Sequence, residues 1–313
     1  TNSQTYSALG SQQSGYQYLG GIAGVNNGKI ENSAMQTNAT VRGSSLIGGV
    51  AGVNLPDAMI TYTTNSSLDY AVQADYCAGG ITGMNCGTVT LKNDTQLNVS
   101  VTAGSYAGGI AGSNNTRGTN PATIMGGKLG GAILASGNYA GGAAGANYAK
   151  ISNVQLISGG YVRVNGQYAG GIAGNNEGSG TIENCSNTAA AAANSYTVYA
   201  TNGYAGGISG GGYGGTNFGL DSAPNTPAVT IKNCYASGTV TGKNYVGGIL
   251  GAEPGIVQCW PNGKGYIQYN KFTGTVTATD GTYVGGIVGY IHGVDKYMYI
   301  NDNLYDCNVE KGI

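Results

Sequence analysis

Nine variants of one heptad, Tyr-Ala-Gly-Gly-Ile-Ala-Gly, begin at residues 18, 46, 77, 106, 139, 168, 204, 245 and 283. Seven open with tyrosine (Tyr18, Tyr106, Tyr139, Tyr168, Tyr204, Tyr245, Tyr283); Leu46 and Cys77 open the other two. Every copy keeps the double glycine and the closing glycine, and the start-to-start spacings are 28, 31, 29, 33, 29, 36, 41 and 38 residues. A period in this range means stacked units, none of which can bury its apolar face alone. The repeat runs nearly end to end, so residues 1–313 are expected to form one elongated repeat domain.

Two further patterns follow the heptad. One reads Ile30-Glu31-Asn32, Leu91-Lys92-Asn93, Ile151-Ser152-Asn153, Ile182-Glu183-Asn184 and Ile231-Lys232-Asn233; the other reads Gly-Thr-Val-Thr at 238–241 and 274–277. Each unit thus offers three short strand-like pieces of alternating apolar residues, punctuated by Gly and Asn. No segment holds a 3.6-residue period with capping signals, so little or no helix is expected. Three short strands per unit, repeated in order, build an all-β parallel β-helix of about nine coils. At about 4.8 Å per coil its core would be about 40 Å long. A β-propeller blade needs four antiparallel strands, for which units of 28 and 29 residues leave little room. In such a coil, stacked asparagines can hydrogen-bond from turn to turn and stacked tyrosines make offset ring contacts. Glycine allows the corners, either by positive φ or by a bend at the Gly-Gly pair.

Composition narrows the function. Charged residues are only 9%, against about 25% in an average soluble domain. Net charge is −1 with no basic run, which disfavours nucleic acid as a partner. No apolar stretch approaches the ~20 residues of a membrane span. The chain begins at Thr1 without an initiator Met or signal peptide, the pattern of a mature or excised product.

Segments such as Tyr168-Ala-Gly-Gly-Ile-Ala-Gly174 and Ile231-Lys-Asn-Cys-Tyr-Ala-Ser-Gly238 resemble the GLUG repeats of bacterial surface proteins, a resemblance that covers roughly residues 16–310. Such repeats occur in large secreted adhesins, filamentous-haemagglutinin-like proteins and some immunoglobulin protease stalks. The resemblance implies a β-helical scaffold at the cell surface and carries no activity with it.

Catalytic chemistry finds little purchase, and no enzyme is expected. Glycoside hydrolysis needs two facing carboxylates, yet 14 acids are spread over nine units, most densely at Asp57, Asp69 and Asp75. His292 is the sole histidine and has no nucleophile motif around it. The six cysteines (Cys77, Cys86, Cys185, Cys234, Cys259, Cys307) match no metal-ligand spacing, so no metal or cofactor is expected. Cys185 and Cys234 share one register and would stack as either a disulfide or a thiol ladder; Cys77 and Cys86 flank one heptad; Cys259 and Cys307 both lie in the last third. Sequons at Asn38, Asn65, Asn93, Asn98, Asn114 and Asn184 are candidate glycosylation sites and fit an extracellular setting.

Two binding readings remain. The long C-terminal inter-heptad segments carry Phe218, Trp260, Tyr266 and Tyr269, a candidate glycan-stacking set on loops of a rigid scaffold. The coil ends, with no amphipathic capping helix in the sequence, would leave strand edges unpaired. That favours head-to-tail association, or continuation into a longer surface protein. The expected function is therefore an extracellular filament subunit or adhesin stalk, with a glycan-binding module as the alternative.

Overall fold

Where the sequence shows three strand-like pieces per unit, the chain makes five short strands per turn. The computed structural model describes residues 5–7, 17–190, 197–213, 229–253, 265–281, 283–291, 298–306 and 308–311. The fourth coil is representative, with strands Tyr106–Gly108, Ala111–Asn114, Thr123–Met125, Lys128–Leu129 and Ala132–Ala135. Each strand pairs with its counterpart one turn away, giving five sheets of nine, nine, nine, eight and ten strands in that order along the coil. Every pairing between neighbouring turns is parallel and in register, as in Tyr106↔Tyr139, Ala107↔Ala140 and Gly108↔Gly141. Among the described residues there is no helix. The chain is a parallel β-helix of nine coils.

The two extra strands have local causes. The Gly-Gly-Ile step breaks each heptad, so its Tyr-Ala-Gly start lies in the first sheet and its Ala-Gly end in the second. The other addition is a two-residue fourth strand such as Gln96–Leu97 or Gln155–Leu156, too short to show alternation in the sequence.

Alternation sends every second residue of a strand inward, as Val101 and Ala103 in Ser100–Ala103, and register turns these residues into columns. Ile60, Val89, Ile124, Ile151, Ile182, Ile231 and Ile267 form the third-sheet column, all at 0% exposure. Val72, Val101, Val162, Val198, Val240 and Val276 line the fifth-sheet column, with Ile133 between the second and third of these. In the fourth, Leu68, Leu97, Leu129 and Leu156 give way to a buried Asn187, whose Nδ2 donates to the Gly207 carbonyl at 3.1 Å. The varying unit length is absorbed outside these columns. The long insertions fall between the second and third strands, as between Asn114 and Thr123 or Tyr213 and Thr230, or before the fifth, between Asn187 and Val198.

The bend resolves how Tyr and Ile of one heptad part company. In a straight strand they would share a face. Here Ile110 is wholly buried in the core while Tyr106 stays on the outer side, half-buried. The glycines make this possible by close approach. A Cβ on Gly108 would lie 1.9 Å from the Ala111 carbonyl oxygen, and one on Gly109 would lie 2.3 Å from the Gly142 oxygen of the next coil. The glycines with positive φ (Gly126, Gly127, Gly159, Gly178, Gly281) lie elsewhere in the coil.

Candidate functional site

The outer corner between the first and second sheets gathers most of the aromatic chemistry. Register places Tyr106, Tyr139, Tyr168, Tyr204, Tyr245 and Tyr283 one above another. Their rings stack with centroids 4.8, 5.3, 4.7, 4.7 and 5.0 Å apart and planes within 10° of parallel. Each such pair contributes about 0.5–1.5 kcal/mol beyond burial.

Toward the N-terminus this ladder is interrupted. The register runs Tyr18↔Leu46↔Cys77↔Tyr106, so two successive coils carry no ring at this position, with the Tyr76 ring standing beside Cys77. The interruption spans three coil steps, about 14 Å. It opens a cavity of about 360 Å³ lined by Tyr18, Leu46, Cys77, Met84, Tyr106 and Tyr148, with Tyr76, Ser113, Asn115 and Arg117 completing the wall. Tyr76 meets Tyr106 edge-on, at 5.4 Å and 70°. Burial pushes the Tyr106 and Tyr148 hydroxyls above their ordinary range, and for Tyr148 the neighbouring Glu177 carboxylate adds to the effect. Glu177 itself is raised by burial, against which hydrogen bonds from Tyr148 and Asn175 work; the Asn175 Nδ2–Glu177 Oε1 distance is 2.7 Å.

A second column lies one strand further on and faces inward. Asn26, Asn54, Asn85, Asn114, Asn147 and Asn176 are all buried. Their amides are joined at 2.8, 2.8, 2.8, 2.8 and 2.7 Å in that order. Each amide also reaches a backbone carbonyl, such as Gly87 O from Asn85 at 3.1 Å, Lys150 O from Asn114 at 3.2 Å and Gly180 O from Asn176 at 2.9 Å. Buried amides survive in a core only when paired in this way. The column ends at Gly212, which takes the place of asparagine beside Asn176.

The asparagines of the Ile-x-Asn pattern do something else. Asn32, Asn153, Asn184 and Asn233 have φ of 47°, 57°, 55° and 53°, the left-handed conformation that asparagine tolerates better than other side-chain-bearing residues. They turn the chain from the third sheet toward the fourth. The true ladder asparagine sits eight residues after each heptad start from 18 to 168. That fixed offset was the available signal.

The candidate residues are dispersed. Tyr266 stacks on Tyr299 at 5.4 Å, with the Lys232 ammonium 4.4 Å from its ring centre. Tyr269 is 58% exposed at a left-handed corner with φ 58°. Phe218, Trp260 and His292 lie outside the described residues. Cys77, Cys86, Cys185 and Cys234 are buried free thiols, so Cys77 and Cys86 do not clip their heptad and Cys185 and Cys234 take the thiol alternative; Cys259 and Cys307 lie outside the described residues. Cys185 and Cys234 follow left-handed asparagines on successive coils as their spacing implied, and their Sγ atoms donate to Glu183 O at 3.3 Å and Lys232 O at 3.2 Å. Burial raises the Cys77 thiol to about 12 and moves Cys234 well up, with Cys185 beside it adding to the rise.

Of the sequons, Asn38, Asn65, Asn93, Asn98 and Asn184 are exposed. Asn114 is a wholly buried ladder member, so its candidacy for glycosylation is withdrawn. Asp57, Asp69 and Asp75 are exposed, and Asp57 accepts from Asn120 at 2.8 Å. Among the described residues no three His, Cys, Asp or Glu side chains converge on a metal-sized site.

Comparison with curated proteins and with solved structures finds no match to this chain. Against protein families, a model described as the GLUG motif matches residues 165–192. That segment holds the Tyr168 heptad and its follow-on, and the neighbouring coils pair with it in register. The chain therefore carries the GLUG motif and is built by stacking that unit.

Proposed function

We propose that this chain is a non-enzymatic structural rod of an extracellular or cell-surface protein. In this reading it serves as a stalk or filament unit, and its partner is more of the same repeat, in a second copy or in the remainder of a longer chain. One observation carries the reading. Positions that are sealed in the middle of the rod are open on the first and last described coils. Ile22 is 48% exposed where Val50, one coil on, is at 0%; Tyr305 is 63% exposed where Phe272, its register partner, is at 0%. Exposed register positions on in-register parallel coils are surfaces that another such coil would cover. The placement outside the cell rests on the resemblance to surface GLUG proteins, with the low charge and the exposed sequons in keeping with it.

Negative-stain electron microscopy and sedimentation of the purified chain over a range of concentrations test the association. Rods that lengthen in unit steps with concentration, and remain short when Ile22→Glu and Tyr305→Glu are introduced, are the expected result. Monodisperse short rods at the highest concentration would overturn the filament.

A further inference from the structure

The tyrosine ladder has a gap with a chemical character of its own. Filled coils present Ala146, Asn175, Gly211 or Ala252 beside the ring column, at the second-sheet position paired in register with Ser113. At the gap the corresponding wall is Met84 and Ser113, with Asn115 and Arg117 just beyond. Ser113, Asn115 and Arg117 make no side-chain hydrogen bond or ion pair with another described residue. Tyrosine rings bound the opening on both sides along the rod, Tyr18 at one end and Tyr106 at the other, and the floor is apolar. A cavity of about 360 Å³ is within the size range of small-ligand sites.

We propose that this cavity is a saccharide subsite that takes one hexose ring, with Arg117 reaching the carboxylate where the ring bears one. A pyranose has a C–H face that packs on aromatic surface and a rim of hydroxyls. The tyrosine walls suit the face, and the Asn115 amide, Ser113 hydroxyl and Arg117 guanidinium suit the rim. A guanidinium pairs with a carboxylate through two parallel hydrogen bonds, which favours a uronic-type unit. An aromatic side chain from another protein would fill the ring gap as well, yet it would bury these three polar groups without partners, a net cost. The proposal is independent of end-to-end association, because the cavity lies on the side of the rod.

Titration calorimetry and saturation-transfer NMR with methyl glucuronide, methyl glucoside and N-acetyltyrosinamide test it. The intact chain is expected to bind both glycosides saturably, the glucuronide more tightly. Arg117→Ala should weaken the glucuronide about tenfold or more, the loss of a charge-assisted pair. The double change Leu46→Tyr with Cys77→Tyr supplies the missing rings, in the register that the seven other coils already occupy with tyrosine, and should abolish binding of both. Circular dichroism checks that this variant keeps the fold, and Arg117→Ala, at an exposed position, tests the site if it does not. The proposal is overturned by no saturable binding of either glycoside, by unchanged glucuronide affinity in Arg117→Ala or in the folded ring-filled variant, or by preference for N-acetyltyrosinamide.

Discussion

Asn85 donates its amide N–H to Oδ1 of Asn114 across 2.8 Å, and both side chains are fully buried. The bond crosses from one coil to the next at the same point where the backbone ladder does, so side chain and main chain hold one register together.

Removing a middle rung should therefore be costly. Asn114→Ala takes the acceptor from Asn85 and the donor from Asn147 Oδ1 and Lys150 O. A loss of about 2–3 kcal/mol is expected in urea unfolding, from three missing bonds and the groups left unpaired. Asn114→Asp should be worse at pH 7 than at pH 4, because its buried carboxylate would face Asn147 Oδ1 instead of donating to it. Equal stability of Asn114→Ala and the parent protein would show that the column is incidental.

The bend makes a sharp distinction between glycines. Gly108→Ala would set a Cβ 1.9 Å from Ala111 O and 2.8 Å from Ala144 Cα; the backbone of two coils must shift, and a loss above about 3 kcal/mol is expected. At Gly28 a Cβ meets nothing within 4 Å, and Gly28→Ala should change stability by no more than about 1 kcal/mol, in the favourable direction. Paired thermal melts compare the two.

Glu177 sets a pH dependence with a definite sign. Its folded-state pKa is raised by burial, so the folded chain holds this proton more tightly than the unfolded one. The contribution is fully present below the unfolded glutamate value, about 4.3, and is lost as pH rises through the higher folded value. Glu177→Gln keeps an acceptor for Asn175 and Tyr148 and has no charge to bury. Its melting temperature should exceed that of the parent at pH 7, and the difference should shrink as pH falls to 4. A difference that grows on acidification would refute the assignment.

Tyr269 occupies, at φ 58°, the left-handed corner that Asn32, Asn153, Asn184 and Asn233 fill in other coils. A tyrosine there stores about 1–3 kcal/mol of backbone strain, and asparagine relieves part of it. Tyr269→Asn is expected to gain about 1 kcal/mol in equilibrium unfolding. Destabilisation instead would mean that the exposed ring packs on its surroundings strongly enough to offset the strain.

Legibility followed repetition. The heptad, recurring with its three glycines intact, was enough to place nine coils and the tyrosine column, because a parallel in-register stack converts sequence recurrence directly into spatial alignment. Leu129 and Leu156 were harder to place, since a two-residue strand has no period of its own. The ladder asparagines at offset eight were overlooked in favour of Ile-x-Asn, since asparagine is common throughout this chain and burial is not written in residue type. The stacking of Cys185 on Cys234 followed from spacing, whereas their state as thiols did not. The cavity beside Cys77 depends on what is missing from two coils, and only the aligned columns make that absence a shape.

Each amide from Asn26 to Asn147 gives its proton to the asparagine of the following coil. A file of dipoles aligned in this way is a vector: proton-accepting oxygen leads at one end of the column, proton-giving nitrogen at the other. The rod thus has a compass direction written into its core. Any coil that extends this column beyond Asn26 must arrive with its own amide turned the same way, and one presented in reverse would set oxygen against oxygen.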